Sequence, residues 1–240
     1  MNYRSALFFA ACLAVFMTAT AAHAGSITVK GATVSFTNPE GYLRCTKDGK
    51  YAYILESVLE VDTPEFPTKY VFLSKEDADA IDADEKRPGK AIVIMAYTEK
   101  LSWLEFHAYK LEVERVFNLE KEYASEPGEK SLGIFNNDNA TVSILAWKKS
   151  DDYNGIYFST HMLRKDRLIL VHQYENFTTL ERAQAFKDEA SARLRAMHFP
   201  DPEPDGPITG KTLSAAVAIA LLLVSAFFIY GLYRFRPKKK

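Results

Sequence analysis

Apolar and polar residues alternate from Ser26 to Thr37, with Ile27 and Val29, then Ala32, Val34 and Phe36, on one side. Period-two alternation of this kind predicts a β-hairpin or a bent strand that ends at Asn38-Pro39-Glu40-Gly41. Tyr51 to Val61 and Tyr70 to Leu73 are read as further strands, separated by the loop containing Pro64 and Pro67. Ser74-Lys75-Glu76-Asp77 has the form of a capping box and opens a short helix that ends before Pro88. Ala91 to Tyr97 is a continuous apolar run, as expected of a strand buried on both faces. A second capping box, Ser102-Trp103-Leu104-Glu105, opens a long helix to about Tyr123. This helix carries two apolar stripes: Leu104, Ala108, Leu111, Leu119 and Tyr123 on one, Phe106, Val113 and Phe117 on the other. Three strands follow as a meander, Thr141 to Trp147, Ile156 to Leu163 and Leu168 to Tyr174, with turns at Ser150 to Gly155 and Lys165-Asp166. A closing helix is capped at Thr178-Thr179-Leu180-Glu181. It buries Ala183, Phe186, Ala190, Leu194 and Met197, and stops at Phe199-Pro200.

Hydropathy changes character at both ends of the chain. Arg4, the apolar run from Ala6 to Met17 and Ala22-His23-Ala24 have the order of a secretory signal peptide, with cleavage after Ala24. Thr212 to Tyr233 is uncharged, and about 22 residues at 1.5 Å each make roughly 33 Å of helix, enough for one bilayer crossing. Five Lys or Arg residues lie between Arg234 and Lys240, whereas Asp201, Glu203 and Asp205 precede the span, so the C-terminus is expected in the cytoplasm. The expected organisation is a signal peptide over 1-24, an exported domain over 25-199, a Pro/Gly-rich linker over 200-211, a transmembrane helix over 212-233 and a basic tail over 234-240. The expected location is the cytoplasmic (inner) membrane, single-pass, with the domain extracytoplasmic.

The element order predicts an α+β domain in which an antiparallel sheet is flanked by helices, plus one C-terminal transmembrane helix. The order resembles the PsbP-like α/β/α sandwich. The likeness lies in an early strand followed by Asn38-Pro39-Glu40-Gly41-Tyr42, an apolar strand running into the helix at Ser102, and a closing strand and helix from Leu168 to Phe199. This resemblance implies a binding or assembly role and carries over no catalytic residue.

Composition narrows the function classes. The 30 basic and 31 acidic side chains include the basic tail, so the exported part is mildly acidic and nucleic acid is not expected as a partner. Only Cys45 remains after signal removal, which excludes an intramolecular disulfide. The residues with the most chemistry are His161 and His172. If the loop at Lys165-Asp166 is even, Tyr157 pairs with Tyr174, Ser159 with His172 and His161 with Leu170, which puts both imidazoles on one face; an odd loop puts them on opposite faces. Beside Tyr157, Ser159 and Tyr174 they form a candidate ligand site; the competing reading makes them half-exposed, hydrogen-bonded strand residues. No third metal ligand is evident, and no metal, cofactor or catalytic residue is assigned. The acidic run Asp77, Asp79, Asp82, Asp84 and Glu85 lacks the spacing and central glycine of a calcium loop.

The leading expectation is a single-pass, membrane-tethered binding or assembly module that recognises a protein partner or small ligand in the envelope. An exposed apolar patch is expected at Phe106, Val113 and Phe117. The alternative is a cell-envelope enzyme, metal-dependent, working at a His161/His172 site.

Overall fold

A computed structural model of the protein describes residues 24–59, 62–82, 89–122, 129–150 and 153–201. The signal peptide (but for Ala24), most of the linker, the expected span at 212-233 and the tail lie outside the described residues. Among the described residues, no helix is long and apolar enough to cross a membrane.

Two strands, β1 (Ala24–Val29) and β2 (Ala32–Thr37), form the expected hairpin. The other seven build one antiparallel sheet: β3 (Tyr42–Arg44), β4 (Thr68–Ser74), β5 (Lys90–Ala96), β6 (Glu129–Asp138), β7 (Thr141–Ser150), β8 (Tyr153–Arg164) and β9 (Arg167–Asn176). Their spatial order is β3-β4-β5-β9-β8-β7-β6. The chain leaves the sheet after β5, enters again at the far edge as β6, and meanders back until β9 closes against β5. Four helices accompany the strands: α1 (Ala52–Leu59), α2 (Lys75–Asp82), α3 (Trp103–Glu122) and α4 (Ala183–Ala196), the last preceded by a 3-10 turn over Leu180–Arg182.

The Ser102 capping box forms in full, Ser74 caps its helix through its hydroxyl, and the closing helix begins with no side-chain cap bond. The Ser102 hydroxyl accepts the Glu105 backbone N–H at 3.3 Å, and the Glu105 carboxylate accepts the Ser102 N–H at 2.8 Å. At α2 the Asp77 N–H reaches Ser74 Oγ at 3.1 Å, while the Asp77 carboxylate also accepts the backbone N–H groups of Gly89 and Lys90 at 2.9 and 2.6 Å. Asp77 thus ties α2 to the start of β5, a structural duty that accounts for it without calcium.

Pleating divides the sheet into two buried faces. On one, Ile92, Ile94, Ile169, Val171 and Met162 meet Ile27, Val29, Val34 and Phe36 of the hairpin, while Ala183, Phe186 and Ala190 of α4 cover Leu145, Ile156 and Phe158. On the other, α1 and α2 cover Val71, Leu73 and Val93, and α3 covers Val142, Ile144, Leu163, Leu168 and Leu170. The expected antiparallel sheet between helical layers is therefore present, with the hairpin sharing one layer with α4.

Two expectations need correction. Tyr51 to Val61 is not a strand: Ala52–Leu59 is helical, because Tyr51, Ile54, Leu55 and Val58 fall at helical spacing and pack together on β4. Strand β6 adds a fourth strand to the meander where the sequence pattern assigns no element, because bulges at Ser131/Gly133 and Phe135/Asp138 break its alternation; Gly133 there has φ +127° and Asn136 +46°. The faces of α3 are reversed as well. Phe106 (0 % exposed), Val113 and Phe117 are core, and Leu104 (47 %) and Leu111 (52 %) face solvent. The aromatic stripe wins because Phe106, Tyr109, Val113 and Phe117 together remove more apolar area from water than Leu104, Ala108 and Leu111 can, with about 1.5–3 kcal/mol per fully buried large side chain.

Candidate functional site

The turn between β8 and β9 determines what the sheet presents beneath α3. Lys165 and Asp166 both adopt positive φ, 50° and 55°, as the two central positions of a tight hairpin turn require. The two-residue loop fixes an even register, and Tyr157 pairs with Tyr174, Ser159 with His172 and His161 with Leu170. His161 and His172 accordingly share the face that α3 covers, with ring centroids 6.2 Å apart and nearly perpendicular planes.

Ser159 stands between them. Its hydroxyl lies 2.8 Å from His161 Nε2 and 2.7 Å from His172 Nδ1. The other nitrogen of His161, Nδ1, is hydrogen-bonded to the Tyr109 hydroxyl, which α3 lowers onto the sheet. The Tyr109 ring lies nearly parallel to the imidazole with centroids 5.6 Å apart. Two proton arrangements serve every bond in this row: the donations run from Tyr109 O–H to His161 Nδ1, from His161 Nε2–H to Ser159 Oγ and from Ser159 O–H to His172 Nδ1, or each of them is reversed. Both imidazoles are neutral in either arrangement.

Burial explains why they stay neutral. His161 is 8 % exposed, His172 1 % and Ser159 1 %. Desolvation pushes His161 down to about 4, and desolvation followed by the neighbouring His161 holds His172 well below the usual imidazole range. Burial likewise raises the Tyr109 phenol. The half-exposed reading of the two histidines is thus corrected: they sit in the interior because α3 roofs them. Tyr157 and Tyr174 remain partly buried at the margin, Tyr157 against the cluster under α3 and Tyr174 against the one under α1 and α2. Tyr174 lies 6.3 Å from the His172 ring.

The five residues expected as a ligand site are therefore brought together. Their chemistry is nevertheless directed inward. A serine hydroxyl between two imidazoles has the connectivity of an activated nucleophile, but no substrate atom reaches a hydroxyl this deeply buried, and an imidazole lowered to about 4 is a weak base. Among the described residues, no group of three or more His, Cys, Asp or Glu side chains converges as metal ligands would. What the row does is fix α3 to the sheet through hydrogen bonds in the interior. Sequence reasoning missed Tyr109, whose spacing from Phe106 and Val113 places it on the stripe that turned out to be core. Lys110 was missed too. It is buried, and its ammonium group donates to the Asp138 carbonyl at 2.7 Å.

The sequence matches no protein-family model and no curated protein. Several solved structures are similar in fold, among them the following three. Cyanobacterial PsbP (CyanoP) from Synechocystis sp. PCC 6803 aligns with a TM-score of 0.40 at 9% identity, over 74% of this chain and 93% of its own. The PsbP-like resemblance is present and weak. The Ran-binding protein Mog1p of Saccharomyces cerevisiae gives 0.38 at 12% identity, over 72% of this chain and 92% of its own. A Pseudomonas aeruginosa protein of unknown function, PA94, described as a putative regulator, gives 0.33 at 10% identity over 75% and 99%. At these values the likeness concerns the fold alone.

Proposed function

We propose that this chain is a single-pass, membrane-tethered binding or assembly module whose α+β domain lies outside the cytoplasm and engages a protein partner in the envelope. In this reading residues 1-24 direct export, 212-233 anchor the chain, and the basic tail stays in the cytoplasm. The observation that carries the binding role is the outward face of α3. Leu104 and Leu111, seven residues apart on one stripe, are half exposed, and Tyr53 on α1 of the same layer is 53 % exposed. Leu104 and Leu111 stand two turns apart on one side of α3, so a partner lying along the helix covers both, which it could not do for singly scattered apolar side chains. The interior chemistry supports the same reading, since Ser159, His161 and His172 are sealed beneath that layer.

The test is affinity capture of the full chain from detergent-solubilised membranes, comparing wild type with Leu104→Asp/Leu111→Asp. A protein recovered with wild type and lost with the double variant, whose circular dichroism is unchanged, is the expected result. Equal recovery with both would remove the α3 surface as the binding face.

A further inference from the structure

The structure shows which end of the domain the linker leaves. Four connections converge at one end of the sheet, held there by three cations of the β8–β9 turn that donate to backbone carbonyls. Arg164 reaches Ala140 of the β6–β7 turn at 3.2 Å, and Lys165 reaches Thr33 beside the β1–β2 turn at 2.8 Å. Arg167 reaches Thr98 of the β5–α3 connection and Lys30, both at 3.2 Å. The Leu101 N–H, just before α3, donates to the Asp166 carbonyl at 2.9 Å. The last helix runs out at this end too: Met197, just past its final turn, shares a buried cluster with Met162, two residues before Arg164. Asp201, the last described residue, is close enough to Arg164 for its carboxylate to oppose the lowering of that guanidinium by burial.

One edge of α3 is turned the same way. Trp103, His107, Lys110 and Glu114 follow at spacings of four, three and four, so they line one side of the helix. Lys110 bonds the Asp138 carbonyl, and Glu114 accepts Asn137 Nδ2 at 2.7 Å, which fixes that side toward the β6–β7 turn. Trp103 and His107, with rings 6.3 Å apart, continue it as a half-exposed indole and an exposed imidazole. Lys100 and Lys165 are exposed beside them, while Lys30 is paired with Glu99.

We propose that this end of the domain rests on the surface of its own membrane, with the Trp103 indole in the lipid headgroup layer and Lys100 and Lys165 against anionic headgroups. The inference rests on the proposed anchor at 212-233. Residues 202–211 span at most about 35 Å when extended and about 18 Å as a flexible coil, so the linker-bearing end stays within reach of the bilayer. Such a tether makes docking intramolecular, and a weak contact then suffices. An indole, apolar in body with one N–H donor, is the side chain best matched to the interfacial layer.

The chain has two tryptophans, which makes the test direct. Trp147 lies on β7 six residues beyond Thr141, about 20 Å from this end, and packs under α4. The full chain is reconstituted in phosphatidylcholine/phosphatidylglycerol vesicles with and without phosphatidylcholine brominated near the headgroup. Flotation and tryptophan emission are read for wild type, Trp103→Phe and Trp147→Phe. The expected result is co-flotation of all three, with bromolipid quenching in wild type and Trp147→Phe and none in Trp103→Phe. Co-flotation with the same quenching in wild type and Trp103→Phe, or with no quenching at all, overturns the docking while leaving the anchor intact. Failure to float overturns the anchor and the docking with it.

Discussion

Lowering the pH from 7 to 4.5 protonates His161 and His172 in the unfolded chain before it protonates them in the folded one. His161 falls from 6.5 to about 4 on folding, and His172 is shifted in the same direction. Between these values the unfolded chain binds more protons than the folded chain, so stability must fall as pH falls. The histidine contribution is undiminished above about pH 6.5, and the loss from His161 levels off below about 4. For His161 alone, linkage gives a loss of roughly 2 to 3 kcal/mol between pH 7 and 4.5. That is a large share of the 5–15 kcal/mol typical of a domain. The assay is urea denaturation of the 24–201 unit at half-unit pH steps, with His161→Gln/His172→Gln as the reference. Glutamine keeps a hydrogen-bonding amide near Tyr109 and Ser159 but does not titrate, and the surface carboxylates are common to both proteins. The wild-type slope should exceed the reference slope by at least about 1.4 kcal/mol per pH unit between 6 and 4.5. Equal slopes would refute the claim that the two imidazoles are held neutral in the interior.

The reversed faces of α3 give a paired test: Phe106→Ala should cost about 3–5 kcal/mol and Leu104→Ala less than about 0.5 kcal/mol in the same denaturation experiment. The opposite ranking would restore the sequence-based assignment of the helix. Tyr109→Phe removes the hydroxyl bonded to His161 Nδ1 and leaves a buried ring nitrogen without that bond, so a loss of about 1–3 kcal/mol is expected and an unchanged midpoint would contradict the row of bonds. Gly25→Ala should be destabilising by about 1–3 kcal/mol, because a Cβ there meets the Phe36 ring at 2.4 Å. A neutral result would show that Gly25 does not sit against the Phe36 ring.

What was legible in the sequence and what was not follow from how local each signal is. The β8–β9 register depends on whether the loop at Lys165-Asp166 is even or odd; the sequence supplies the cross-strand pairs for the even case, and the structure selects that case over the odd one. The capping boxes at Ser74 and Ser102 were equally local. Strand β6 was hidden because its bulges shift Leu132, Ile134 and Phe135 out of strict alternation. Helix α1 was hidden because Tyr51, Ile54, Leu55 and Val58 stand among enough β-branched and aromatic residues to read as a strand. Which face of α3 turns inward is a tertiary outcome, decided by what the sheet offers: Val142, Ile144, Leu168 and Leu170 receive Phe106, Val113 and Phe117. The burial of the histidines follows from that same choice, since Tyr109 shares the inward stripe. It was invisible from the strands alone, where Ser159, His161 and His172 alternate with apolar residues as an exposed face would.

Topology is the claim on which the proposed function depends, and protease accessibility measures it most directly. The full chain, tagged after Lys240 and produced in a bacterial host, is exposed to protease in intact spheroplasts and again after lysis. The account predicts that the domain is degraded in intact spheroplasts while a membrane-bound C-terminal fragment keeps its tag, and that the tag is lost only after lysis. A domain that survives until lysis, or a chain recovered wholly in the soluble fraction, would contradict it.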